Sequence, residues 1–146
     1  MDKSEMLLQE LYKNTTMGAD SLIDLMDRAG DPHMRAEMTG ELDKYKAFSK
    51  KAASLLAERG LKPEEPGLAA KAGAKLGMAF NTMLDTTTSH IAEMMINGAV
   101  MGIVNIEKQL NEMGTPSTPA EKEACALAQD ILKYEKATAD HLGRFL

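Results

Sequence analysis

The chain has no tryptophan, three tyrosines, three phenylalanines and a single cysteine. A lone cysteine cannot close an internal disulfide, so the fold rests on burial, and a free thiol fits a reducing compartment. Valine occurs only at positions 100 and 104. Strands draw on β-branched and aromatic side chains, so this scarcity disfavours sheet. Basic charge is short as well: 17 Lys and Arg stand against 22 Asp and Glu, for a net charge of −5. Phosphate backbones bind positive faces, which argues against nucleic acid as the main partner. The local cluster of Lys44, Lys46, Lys50, Lys51, Lys71 and Lys75 reads as a solvated helix face.

A membrane-length apolar run is missing too. The uncharged stretch 94–106 has 13 residues and is bounded by Glu93 and Glu107, whereas a span needs about 20. The start of the chain puts Glu5 and Glu10 among its apolar residues, unlike the basic opening and unbroken apolar run of a signal peptide. The expected location is therefore cytoplasmic, with no membrane partner. There is no Gly-x-Ser-x-Gly, phosphate loop or dinucleotide fingerprint. His33, His90 and His141 lie at no metal-ligand spacing from one another or from Cys125, so a joint zinc site is not expected. Cys125, among alanines, reads as a small buried hydrophobe.

Methionine, alanine and leucine are abundant, and these are helix formers. The 146 residues suit one domain. Local punctuation divides them. Gly30-Asp31-Pro32 reads as a helix stop followed by an N-cap and a proline at N1. Gly60 and Gly114 are further stops. Thr118-Pro119-Ala120-Glu121 has the form of a capping box. The cap formers of 85–89 interrupt what would otherwise be one helix over 68–113, about 70 Å long. Four long helices are expected at 4–29, 32–59, 88–113 and 119–145. A short one, 68–84, falls in the connection between the second and third.

Each long helix carries a stripe at three- and four-residue spacing. The stripes are Leu8, Leu11, Thr15, Gly18, Leu22, Leu25 and Ala29; Met38, Leu42, Tyr45, Ser49, Ala53 and Leu56; Ala92, Met95, Ala99, Gly102 and Ile106; and Leu127, Ile131, Tyr134, Thr138, Leu142 and Phe145. The third helix is apolar nearly all round, with Ile96, Val100, Ile103 and Val104 beside its stripe. The short helix or a second copy of the chain is expected to cover its other face. Met78, Met83, Met94, Met95 and Met101 read as fillers of an irregular core.

The halves match each other. Met17-Gly18 aligns with Met101-Gly102 at an offset of 84, and Tyr45 with Tyr134 at an offset of 89. Two helical hairpins joined by a long crossover is the order of a ferritin-like bundle. In helix length, crossover and pseudo-repeat, the whole chain resembles a small bacterial member of the ferritin-like superfamily. That resemblance implies an all-α four-helix bundle. It would also imply a diiron centre built from one glutamate on each of two helices and a Glu-x-x-His on each of the others. The ligand set is missing. Glu41 and Asp130 are followed three residues on by Lys44 and Lys133, Glu37 by Gly40 and Glu135 by Thr138. Gly18 and Gly102 stand at the inward level of the first and third helices.

The four matched charges are expected to flank the core in solvent. Interior glycine costs about 1 kcal/mol relative to alanine, so something must offset it at Gly18, Gly98 and Gly102. Close packing of the first helix against the third is the expected use; room for a ligand, or for Tyr45 and Tyr134, is the alternative. A candidate inner site comprises Glu41, Tyr45, Asp130, Tyr134, Gly18 and Gly102, with no metal and no cofactor assigned. The expected role is a non-enzymatic, self-associating structural or interaction module, a homodimer through the third helix or the crossover. The alternative is a non-standard metal-binding protein using Glu41, Asp130, Glu93, Glu107, Tyr45, Tyr134 or His141. A small apolar ligand near the glycines is a third possibility.

Overall fold

The computed structural model describes residues 1–64 and 85–146. They form four α-helices: α1 (Lys3–Met26), α2 (Pro32–Ala57), α3 (Thr88–Met113) and α4 (Pro119–Leu142), the last continued by a 3-10 turn, Gly143–Phe145. No strand occurs among the described residues. The expected short helix at 68–84, with Met78, Met83, Lys71 and Lys75, lies outside them.

The helix starts follow local chemistry. Each N-cap side chain accepts a hydrogen bond from the backbone two or three residues inside the helix, satisfying a donor the helix itself cannot. Asp31 accepts from Met34 N–H with Pro32 at N1, and Thr87 accepts from His90 N–H. Asp2 makes a full capping box with Glu5, a start one residue earlier than expected. At α4 the expected box is only half formed. Thr118 caps Glu121 N–H, but the Glu121 carboxylate reaches past Thr118 to Ser117 N–H, 3.2 Å away.

Two of the three expected glycine stops hold. Gly60 and Gly114 adopt φ of +71° and +70°, the left-handed conformation glycine enters without a Cβ penalty. Gly60 lets Leu61 N–H bond back to Leu56 C=O at 3.0 Å. Gly30 does not act this way, because α1 stops at Met26 and a cation covers its last carbonyls. Arg35 Nη1 donates to Met26 C=O at 2.6 Å and to Ala29 C=O at 3.0 Å.

Core side chains form two clusters. One joins Leu8 and Leu11 of α1, Ala52 and Leu56 of α2, Ile106 and Met113 of α3, and Ala128 and Ile131 of α4. The other joins Leu22 and Leu25, Met34 and Met38, Ile91 and Met95, and Leu142. Burying each large side chain contributes roughly 1.5–3 kcal/mol. The clusters also fix the helix directions. The start of α1 meets the end of α2, the end of α3 and the start of α4. Hence α2 and α3 run the same way, and the chain between Ala57 and Thr88 joins opposite ends of the bundle. A Gln9 clip holds the beginning of that connection: its amide donates to Lys62 C=O at 3.0 Å and accepts from Glu64 N–H at 2.7 Å.

All of the stripe residues named from the sequence are buried or half-buried, with Met34, Met38, Met95 and Met113 filling the core as methionine does. Cys125 is buried as well, and burial pushes its thiol up from the ordinary range. The outer side of α3 is different. Val100, Met101 and Val104 are 46%, 51% and 47% exposed.

Candidate functional site: a carboxyl-floored cleft at the waist of the bundle

Between the two apolar clusters the core changes character. Thr15, Glu41, Glu135 and Thr138 are all buried at this waist. The Thr15 hydroxyl donates to Leu11 C=O at 2.9 Å and lies 2.8 Å from the Ser49 hydroxyl. Asn14 Nδ2 donates across to α3, to Gly102 C=O at 3.3 Å and Asn105 Oδ1 at 3.1 Å. α1 and α3 are thus tied by polar groups on one side of the waist. A cavity of about 300 Å³ opens between them, lined also by Glu41, Tyr45 and Glu135.

The aligned glycines shape it. A Cβ on Gly18 would stand 3.2 Å from the Tyr45 ring, and one on Gly102 would stand 2.7 Å from both Glu135 carboxyl oxygens. The two glycines therefore receive a side chain from the neighbouring helix of their own hairpin. Close approach of the first and third helices, the expected use of these glycines, gives way to side chains from within each hairpin: Tyr45 lies on Gly18, and Glu135, not Tyr134, lies on Gly102. Gly98 is open, with nothing within 4 Å of its would-be Cβ. Gly98→Ala should therefore gain helix propensity without a clash and stabilise the protein by up to about 1 kcal/mol. Gly102→Ala should end at least about 1 kcal/mol below it despite the same gain in propensity, because the Glu135 carboxyl must leave its niche. Urea midpoints of the two variants test this; equal midpoints would refute the niche.

Of the candidate inner residues, Glu41, Tyr45, Gly18 and Gly102 line this cavity. Asp130 does not. It is exposed on the outside of α4, since the residues facing inward there are Ile131 and Glu135. Tyr134 is half-buried behind the cavity wall, where its ring meets Tyr45 edge-on at 6.0 Å between centroids. The expectation that the matched charges are all solvated fails at Glu41, which is 4% exposed, and holds at Lys44, Asp130 and Lys133. Lys44 sits 5.0 Å from the Phe48 ring and 5.8 Å from that of Tyr134, a cation–π placement.

The acids are the unusual part. Glu135 is 2% exposed, and Oε2 of both Glu41 and Glu135 is buried without a hydrogen-bond partner among the described residues. An unpaired buried polar group costs about 1–3 kcal/mol. Burial pushes Glu41 up to about 8, helped by the nearby Glu37 carboxylate. Burial pushes Glu135 up to about 8 too, with the Tyr45 phenol acting the other way by stabilising the carboxylate. Desolvation, then the two carboxylates, raise Tyr45. At neutral pH the floor is mainly two uncharged acids. Ionised, it becomes a pair of negative charges facing a cavity.

Other metal candidates lie elsewhere. Glu107 pairs with Lys136 at 3.0 Å and Glu93 with His90 at 3.6 Å, both towards solvent. His141 Nε2 is 3.0 Å from Glu37, and its Nδ1 is 2.8 Å from Arg144. Arginine can only donate, so Nδ1 accepts and the ring proton sits on Nε2, facing Glu37. No group of three His, Cys, Asp or Glu side chains able to hold a metal occurs among the described residues. No described helix is long and apolar enough to cross a membrane.

Comparison with known proteins gives no match to any family model, curated protein or solved structure.

Proposed function

We propose that this protein is a non-enzymatic binding module, a ferritin-like bundle whose waist cleft holds a small guest instead of a diiron centre. One observation carries the reading: two buried carboxyl groups, each with an unpartnered oxygen, line a cavity of about 300 Å³. Ligand sites in bundles are built between helices from a few polar groups set in apolar walls. The helix directions, with one connection joining opposite ends, support the ferritin-like assignment. The diiron chemistry of that superfamily does not fit these residues. α1 and α3 offer Gly18 and Gly102 where oxygen donors would be needed, and Glu41 and Glu135 are followed by Lys44 and Thr138 where histidine would be needed.

Nuclear magnetic resonance titration of the full chain with matched guests, hexylammonium, hexanoate and 1-hexanol, tests the cleft. At least one of them should shift the amide signals of Gly18, Gly98 and Gly102 together. If none does, the binding reading falls.

A second reading rests on a separate feature. Val100, Met101 and Val104 form an exposed apolar strip on α3, which supports self-association as a homodimer. Sedimentation velocity should then show a dimer that Met101→Glu dissociates; a monomer at every concentration would remove this reading.

A further inference from the structure

The chemistry of the cleft points to a narrower class of guest. We infer that it receives an organic ammonium ion with a short apolar body, its charged head held by Glu41 and Glu135 and its body against α1 and α3. This rests on the binding reading above.

Among the described residues, the floor supplies oxygen acceptors and no cation. Glu41 and Glu135 are both more than nine-tenths buried, and each leaves Oε2 unpartnered among the described residues. Among the described residues, the basic side chains at the mouth and behind the wall are engaged elsewhere. Lys13, at the mouth, lies 3.1 Å from Glu64 and 3.8 Å from Glu10. Lys44 lies over the Phe48 and Tyr134 rings. An ammonium head presents three donors, which the unpartnered carboxyl oxygens lining the cavity can accept. An anion would meet two acids and no counter-charge. An uncharged guest would leave both acids protonated and gain no ion pair.

The walls choose between an organic cation and a bare metal ion. Leu22, Leu25, Met94, Met95 and Ala99 contribute hydrocarbon and thioether to the cavity. Methionine adapts its shape to irregular apolar guests. Hard dications take six or more oxygen ligands, and no cluster of three metal-binding side chains is present among the described residues. At a liquid share of about 30 Å³ per water, the cavity equals about ten waters, room for a head group and a short chain.

Association forms no covalent bond. The ammonium enters with its proton, and the floor acids release theirs to solvent as they ionise. Both acids are displaced upward to about 8, so proton release accompanies binding near neutrality and affinity climbs until about pH 8. The other ionisable groups facing them are Glu37, Tyr45 and Tyr134, with Glu10 and Lys13 at the mouth; the lining residues of α3 do not ionise.

The same titration, extended by calorimetry in buffers of different ionisation heat, decides the matter. Hexylammonium should bind at about pH 8 at least about tenfold more tightly than 1-hexanol or hexanoate, with net proton release at about pH 7. The double variant E41Q/E135Q should lose that preference while keeping its circular dichroism and any 1-hexanol binding. If 1-hexanol or hexanoate binds as tightly as hexylammonium, the cleft stands and the ammonium assignment falls. Tighter binding of manganese(II) chloride at the same three glycine amides would overturn the assignment in favour of a metal. If no guest reaches the glycine amides, the cleft reading itself has failed.

Discussion

Raising the pH from about 5 to about 9 should weaken the ligand-free protein by several kcal/mol, and Gln at positions 41 and 135 should abolish most of that loss. An acid whose proton is held more tightly in the folded state stabilises the fold below its unfolded value. That stabilisation disappears as pH rises through the folded value. For Glu41 and Glu135 the window therefore opens near 4.5 and closes near 8. Each unit of displacement corresponds to about 1.4 kcal/mol, and whole domains are stable by only about 5–15 kcal/mol. The pair thus controls a sizeable share of the total. Glutamine keeps the volume and hydrogen-bonding capacity of the neutral acid but cannot ionise. Urea unfolding at several pH values should show the wild type falling and E41Q/E135Q nearly level, with the two curves close together at about pH 5. Parallel curves would mean that the acids are not held neutral inside the fold.

Truncating Ile106 should cost about 2–5 kcal/mol, the range for removing a fully enclosed branched side chain. Ile106 has no exposure and belongs to a cluster contributed by all four helices, so no single helix can move to refill the space. Val104→Ala, two residues earlier on the exposed strip, should stay within about 0.5 kcal/mol for the isolated chain. Urea midpoints of the two variants check both values. A cost at Val104 that grows with protein concentration would show that self-association buries the strip. A cost at Ile106 below that of Val104 would contradict the packing described for α3.

The architecture was legible from elementary signals. Asp31-Pro32, Thr87 and Thr118-Pro119 start helices for reasons carried by their own side chains, and Gly60 and Gly114 end them. The first stripe, from Leu8 to Leu25, matched the buried face of α1 nearly residue for residue. The floor of the cleft is less legible because the apolar seam on α2 falls on Leu42, Ser49 and Ala53, each one position past the buried Glu41, Phe48 and Ala52, and the seam on α4 falls on Tyr134, one before Glu135. On α2 the interior runs Met34, Met38, Glu41, Tyr45, Phe48, Ala52 and Leu55, a strict three–four alternation with an acid in the middle. On α4 it runs Ile131, Glu135, Thr138 and Leu142, and in the sequence Glu135 stands out only as the start of a Glu-x-x-Thr in place of Glu-x-x-His. An apolar seam instead favours Leu42 and Tyr134. The available signal was an acid in register with core positions on both sides. Asp130 aligns with Glu41, but it sits a residue before Ile131, turned about 100° from it and out of the bundle. Its neighbour in sequence points in where it points out.

Each hairpin carries its own lock, Tyr45 seated on Gly18 in one and Glu135 seated on Gly102 in the other, along with one of the two acids. The walls of the cleft, by contrast, come from both hairpins. On the proposed reading, occupancy and the docking of the halves belong to a single equilibrium. A bound guest would favour the closed pair by mass action, and whatever pries the halves apart would expel it.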